Sequence, residues 1–344
     1  MSSVISWLAN PDGLRRVALA SVVANIGIVI TGGAVRLTGS GLGCPTWPRC
    51  TEDSYTTTPA MGIYGVIEFG NRLLTFAVGL VVVLGVISAV LQRPRRRRVT
   101  VLAVLVFLGI PAQAVLGGIT VLTDLNPWVV GGHFLLSMAV IAAAYAFWRA
   151  TQESDGPITA TVPNPLRWLA GVLTAASAAV LVAGTSVTGS GPHAGDAAAK
   201  RTGLNPETVA QIHADLVFLL IGLSVATWFA LRGVGAKEAA ARAAWLIAII
   251  MAQGVIGFVQ YFTNVPALLV AAHMAGACAV WLATLTVLYA TRRRPQDPGD
   301  HDLEVMVDGA DASLRAAQRI TLRRPAHDHA DLERSARRPG RARG

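Results

Sequence analysis

GVIGFVQYFTNVPALLVAAH, residues 254–273, repeats AVLGGITVLTDLNPWVVGGH, residues 114–133, without a gap and at one constant offset from end to end. Each copy runs from an apolar stretch through a short polar turn into a second apolar stretch, and each ends on a histidine, His133 or His273. Working outward, His213 stands almost as far before His273 as Asn71 stands before His133. A second echo lies further out, where TGSG at 38–41 recurs at 188–191. Internal repetition over this length marks a duplicated structural unit. The first copy has an asparagine where the second has a histidine.

The unit is a membrane unit. The chain has 344 residues, 53% hydrophobic and only 14% charged, a low charge content for a soluble domain. Eight apolar runs are long enough to cross a bilayer as helices: 15–34, 66–90, 99–120, 128–148, 166–187, 209–231, 242–261 and 267–290. They show none of the alternation of a membrane β-barrel. The expected fold is therefore all-α and polytopic, two tandem pseudo-symmetric four-helix bundles. Four spans per copy give both copies the same direction, with the pseudo-twofold axis along the membrane normal. The formal charge of +9 does not point to nucleic acid. Arg15, Arg16, Arg93, Arg95 to Arg98, Arg149, Arg232 and Arg292 to Arg294 flank alternate span ends. By the positive-inside rule both termini are expected on the cytoplasmic side of a multi-pass membrane protein.

The expected organisation is a cytoplasmic lead at 1–14, a first half at 15–149, a cytoplasmic linker at 150–165, a second half at 166–290 and a disordered cytoplasmic tail at 291–344. His301, His327 and His329 fall in that tail. Cys278 reads as a small buried hydrophobe and His193 as a surface histidine. The first outer loop carries Cys44 and Cys50, on the side where oxidation is permitted. Their spacing suits a disulfide; an unlinked pair stays open, and the absence of a nearby histidine makes a metal site a poor alternative. Trp47 between them reads as an interfacial anchor. Glu68 and Asn71 are three apart on one face of the second span. A carboxylate at that depth must be paired or face a cavity, and the expectation is a cavity. Arg72 is expected to point elsewhere on the helix.

His133, His213 and His273 each lie a few residues inside an inward-running span, as do Glu68 and Asn71. At 1.5 Å per residue the five form one layer about 10 Å below the outer surface. A single imidazole there is readily satisfied by a backbone carbonyl; three at a repeated depth point to a shared task. Zinc wants a compact tetrahedral cluster. Haem fits better, since imidazoles on facing helices clamp iron from both sides. His213 and His273 are thus the expected ligands of a haem in the second half. The first half offers His133 with Asn71 and Glu68, one strong ligand and an open face.

At these residues the chain resembles the haem A synthase family, the bacterial counterpart of the mitochondrial cytochrome oxidase assembly enzyme. The resemblance rests on VRLTGSGLGCPTWPRC at 35–50, IEFGNRLL at 67–74, GGITVLTDLNPWVVGGHFLL at 117–136, QIHADL at 211–216 and VPALLVAAHMAG at 265–276. It implies a functional cysteine pair at Cys44 and Cys50, haem b on His213 and His273, and haem O as substrate in the first half near Glu68 and His133. The implied reaction is successive hydroxylation of the haem O C8 methyl to the formyl of haem A for cytochrome c oxidase. The family pairs a glutamate with a histidine three residues later; Asn71 departs from that pattern. Haem O synthase, oxidase assembly factors and an external electron-transfer partner follow as implied partners, with a homo-oligomer left open. Two rivals remain: a membrane electron-transfer cytochrome b, which should pair histidines in every site, and a haem transporter, which fold alone does not exclude.

Overall fold

Asparagine followed by proline opens three of the long helices. Asn10, Asn126 and Asn205 each accept a backbone N–H of the first turn through the side chain, while Pro11, Pro127 and Pro206 occupy the first helical position, where a missing N–H costs nothing. In the computed structural model, which describes residues 3–294, the long helices are α2 Pro11–Leu37, α3 Gly62–Leu91, α4 Arg97–Leu122, α5 Pro127–Ala150, α6 Asn164–Ser190, α7 Pro206–Gly233, α8 Lys237–Phe262 and α9 Ala267–Ala290. All eight are long and apolar enough to cross a membrane. Large side chains such as Phe76, at 76% exposure, and Leu268, at 81%, point outward. In water such a surface invites association; in lipid it is the expected one. The chain is an all-α, multi-pass membrane protein.

The helices run a few residues past the apolar spans, because polar caps lie outside the apolar run. Within the lead at 1–14 a short helix, α1, Ser3–Ala9, precedes α2. It packs against α2 and α3, where the Leu8 carbonyl accepts the Ser88 hydroxyl at 2.6 Å. The linker is also more than a linker. Its strand β1, Thr159–Ala160, pairs antiparallel with β2, Arg292–Arg293, so the chain beyond α9 begins as an ordered strand. The rest of the expected disordered tail, 295–344, lies outside the described residues.

In the first half α2 neighbours α3 and α5, and α4 neighbours the same two; in the second, α6 and α8 each neighbour α7 and α9. Each half has its own core, around Val82, Val106 and Phe147 in the first and Leu173, Leu220 and Leu246 in the second. Val29, Met138, Ile141, Leu181 and Cys278 form a further buried cluster where the halves meet. Cys278 is thus a buried apolar contact, as expected. Trp281 donates its indole N–H to the Met138 carbonyl at 2.9 Å across the same seam.

The turns between α4 and α5 and between α8 and α9 repeat at the level of single dihedral angles. Asp124 and Leu125 have φ of 52° and 58°; Asn264 and Val265 have 60° and 58°. A left-handed leucine or valine is strained and persists only where its surroundings hold it. Leu125 is buried and its methyls lie against Gly41, where a Cβ would come within 2.8 Å, and Gly195, where one would come within 3.1 Å. The Val265 carbonyl is held by the His193 ring at 2.9 Å.

Candidate functional site

His213 on α7 and His273 on α9 face each other, ring centroids 6.4 Å apart and planes at 65°. The Nδ1 atoms of both, and that of His133 on α5, are buried without a hydrogen-bond partner among the described residues. Orphaned buried polar atoms are rare in a folded core. Each ring stands against a glycine of the neighbouring helix. A Cβ at Gly184 would lie 3.3 Å from His213 Cε1, one at Gly257 3.2 Å from His273 Cε1, and one at Gly117 3.2 Å from His133 Cε1. Behind the rings, Gln253 donates to the His273 carbonyl at 2.6 Å, and Gln113 to the His133 carbonyl at 3.3 Å. Gln113 and Gln253 stand directly before the two aligned segments and so extend the repeat by one position. This support was not singled out in the sequence, although the repeat carried the signal.

The spacing of the two second-half rings leaves room for one metal atom between them. A metal–imidazole bond is about 2 Å long, so one metal atom between two rings gives a centroid separation close to the one observed. Among the described residues no three His, Cys, Asp or Glu side chains cluster as a closed metal site would need. In the first half Asn71 is engaged by its neighbour: the Thr31 hydroxyl on α2 donates to Asn71 Oδ1 at 2.8 Å. The amide oxygen keeps one lone pair free and the amide nitrogen is a donor, so Asn71 is a much weaker metal ligand than an imidazole.

Glu68 is buried, as a carboxylate facing a cavity would be, yet both its oxygens are taken. Oε2 accepts the Cys44 backbone N–H at 2.6 Å, and Oε1 accepts Arg72 Nη2 at 2.6 Å and Nε at 3.2 Å. The expectation that Arg72 points elsewhere is wrong, because residues four apart on a helix share a face. Arg72 also donates to the carbonyls of Cys44, Thr46 and Arg49. The glutamate and arginine together grip the outer loop from below. Within that loop the sulfurs of Cys44 and Cys50 stand at bonding distance as a disulfide, and both residues are fully buried. Trp47 is more than an interfacial anchor: its ring lies on α4 at Gly118, where a Cβ would come within 2.4 Å. Gly117, the next residue, backs the His133 ring. The loop and the histidine thus meet α4 at adjacent positions.

The loops after α2 and after α6 also hold each other. Gly41 N–H donates to the Gly195 carbonyl at 2.8 Å. Arg36 donates to the carbonyls of His193 and Thr188 at 2.6 and 2.9 Å. His193, bound to the Val265 carbonyl, is a half-buried tie between loops and not the solvated surface histidine expected.

The sequence profile of the COX15-CtaA family, described as cytochrome oxidase assembly protein, matches residues 15–285. Among curated proteins the chain is 32% identical over 133 residues to "Heme A synthase" of Alkalihalophilus pseudofirmus, covering 38% of this chain and 44% of the relative. It is 32% identical over 145 residues to proteins of the same name from Bacillus cereus and Bacillus anthracis, covering 42% of this chain and 43% of each relative. The chain thus matches a little under half the length of these relatives. The profile, by contrast, runs from the first long helix into the last, across every residue of the site described above, and by it this chain belongs to the COX15-CtaA family of cytochrome oxidase assembly proteins.

Proposed function

We propose that this chain is a haem A synthase, an oxidoreductase that converts the C8 methyl of haem O to the formyl of haem A by successive hydroxylation. The observation that carries the reading is an asymmetry between repeated halves: two opposed rings, His213 and His273, in one, and a single repeated ring, His133, in the other. Haem b held between His213 and His273 would supply one-electron transfer. His133 would hold the substrate haem O as the one imidazole the first half offers. Asn71 would add no strong second ligand, because its amide oxygen already accepts the Thr31 hydroxyl and binds haem iron far more weakly than imidazole. One firm ligand leaves a face open for chemistry and eases departure of the product.

Glu68 acts as a positioning residue in this reading. It holds the disulfide loop over α3 and α4 and so shapes the first-half site, while Trp47 closes the loop against Gly118 beside His133. The two oxidations would need an external oxidant, with electrons passing through an external redox partner; haem O synthase would deliver the substrate and oxidase assembly factors would receive the product. The eight spans would pack as two pseudo-symmetric four-helix bundles in the bacterial plasma membrane. Both termini would lie on the cytoplasmic side, where the arginine clusters gather.

The test is conversion. Membranes containing the protein and haem O, given an electron donor and air, should yield haem A on extraction and chromatography. Unchanged haem O beside haem b would sink the reading and favour an electron-transfer cytochrome.

A further inference from the structure

At the end of the molecule opposite the outer loops, a cavity of about 610 Å³ opens between α4, α5 and α9. Arg97, Arg98, Arg292 and Arg294 line it, with Asp155 as the acidic group and Tyr289 as the aromatic one. The arginines fall into two kinds. Arg98 is paired with Glu153 at 2.8 Å, and Arg294 lies 4.0 Å from the same carboxylate. Asp155 is taken by Arg96 at 3.1 Å. Arg97 and Arg292 make no ion pair among the described residues; Arg292 rests on the Tyr289 ring, 4.5 Å from its centroid. The paired arginines build the wall, and the unpaired two leave a net positive charge facing the opening.

Below Arg97 the surface changes character within one turn. Val101, Leu105 and Leu108 continue the same face of α4, at helical spacing, and are 48%, 51% and 54% exposed. A free anion would use the arginines alone. A molecule with an anionic head and apolar chains would use both the arginines and the stripe running down from them. Basic pockets between spans at a membrane surface are suited to anionic headgroups, and arginine forks bind phosphate oxygens bidentately. We propose that this cavity is a binding site for the phosphodiester headgroup of an anionic phospholipid, held by Arg97 and Arg292, with its acyl chains along Val101, Leu105 and Leu108. The cavity, the two guanidinium groups without an ion pair and the apolar stripe lie together along one face of α4, an arrangement that matches a lipid's head and chains together.

The test uses the full-length protein in phosphatidylcholine nanodiscs doped with phosphatidylglycerol. Lipid retained after release from the discs is read by native mass spectrometry. The wild type should retain phosphatidylglycerol over phosphatidylcholine. Arg97→Gln with Arg292→Gln should weaken that retention by at least about tenfold, while Arg16→Gln, at the same membrane end but outside the cavity, should not. Arg97→Lys with Arg292→Lys should restore part of it. Neither arginine supports a described ion pair, so helix content by circular dichroism should be unchanged. Equal retention by wild type and the double glutamine variant would overturn the proposal. So would displacement of the lipid by inorganic phosphate, which would make this a site for the free anion.

Discussion

The Glu68 carboxylate accepts the Cys44 backbone N–H at 2.6 Å, so a helix side chain holds the first cysteine of the outer loop by its main chain. The same carboxylate holds Arg72, whose guanidinium spans three loop carbonyls. Removing the carboxylate leaves the Cys44 N–H without its acceptor and the half-buried Arg72 with only carbonyl partners, a destabilising change. Glu68→Ala should therefore lower thermal stability in detergent and speed reduction of the Cys44–Cys50 pair by dithiothreitol. Glu68→Gln keeps an acceptor for Cys44 and should fall between. Unchanged reduction kinetics in Glu68→Ala would remove the glutamate from any role in holding the loop.

Arg72→Lys tests whether shape or charge matters at the other partner. A lysine ammonium can reach the carboxylate but lacks the planar fork that spans the three carbonyls. The lysine variant should lose most of what Arg72→Ala loses, read as Tm. Full retention of Tm would mean that charge alone suffices.

The disulfide should be recoverable by mass mapping of protein isolated without reductant. Its closed loop is short, so its chain-entropy contribution is about 2 kcal/mol, and Cys44→Ser should cost a similar amount. Both thiols found free would end the assignment.

On the proposed function, the protein should show a low-spin bis-imidazole haem spectrum that His213→Ala and His273→Ala each abolish. Gly257→Ala is the finer probe. Its Cβ would stand 3.2 Å from the His273 ring, so the ring must turn or shift while remaining able to ligate. Haem content should persist while the electron paramagnetic resonance g values move. A bis-histidine signal surviving in both alanine variants at the histidines would refute the ligand pair.

In the first half His133→Ala should lose haem O binding and conversion together, whereas Asn71→Ala should be mild and Asn71→His should tighten binding. Spectra of haem O-loaded wild type and Asn71→Ala decide the matter. A six-coordinate spectrum that collapses only when Asn71 is removed would make Asn71 an axial ligand after all.

What the sequence by itself determined lies in spacing and composition. Apolar run length was enough for the eight spans, because a backbone in lipid must satisfy its own hydrogen bonds. The ungapped match between the segments ending on His133 and His273 was enough for the duplication, and it extends to Gln113 with Gln253 and to the left-handed turns at Leu125 and Val265. What only the tertiary structure decided is which partner each polar group takes. Glu68 reads in sequence as a carboxylate in need of a partner, and helical spacing allows Arg72 to be that partner. The Cys44 amide, which comes from a loop 24 residues away, is written in no local pattern. His193 likewise reads as solvated until the Val265 carbonyl is brought to it from 72 residues away. Local periodicity encodes which face a residue occupies; the groups waiting on that face arrive by long-range packing, and hydrogen bonds are too short-ranged and directional to be inferred before it.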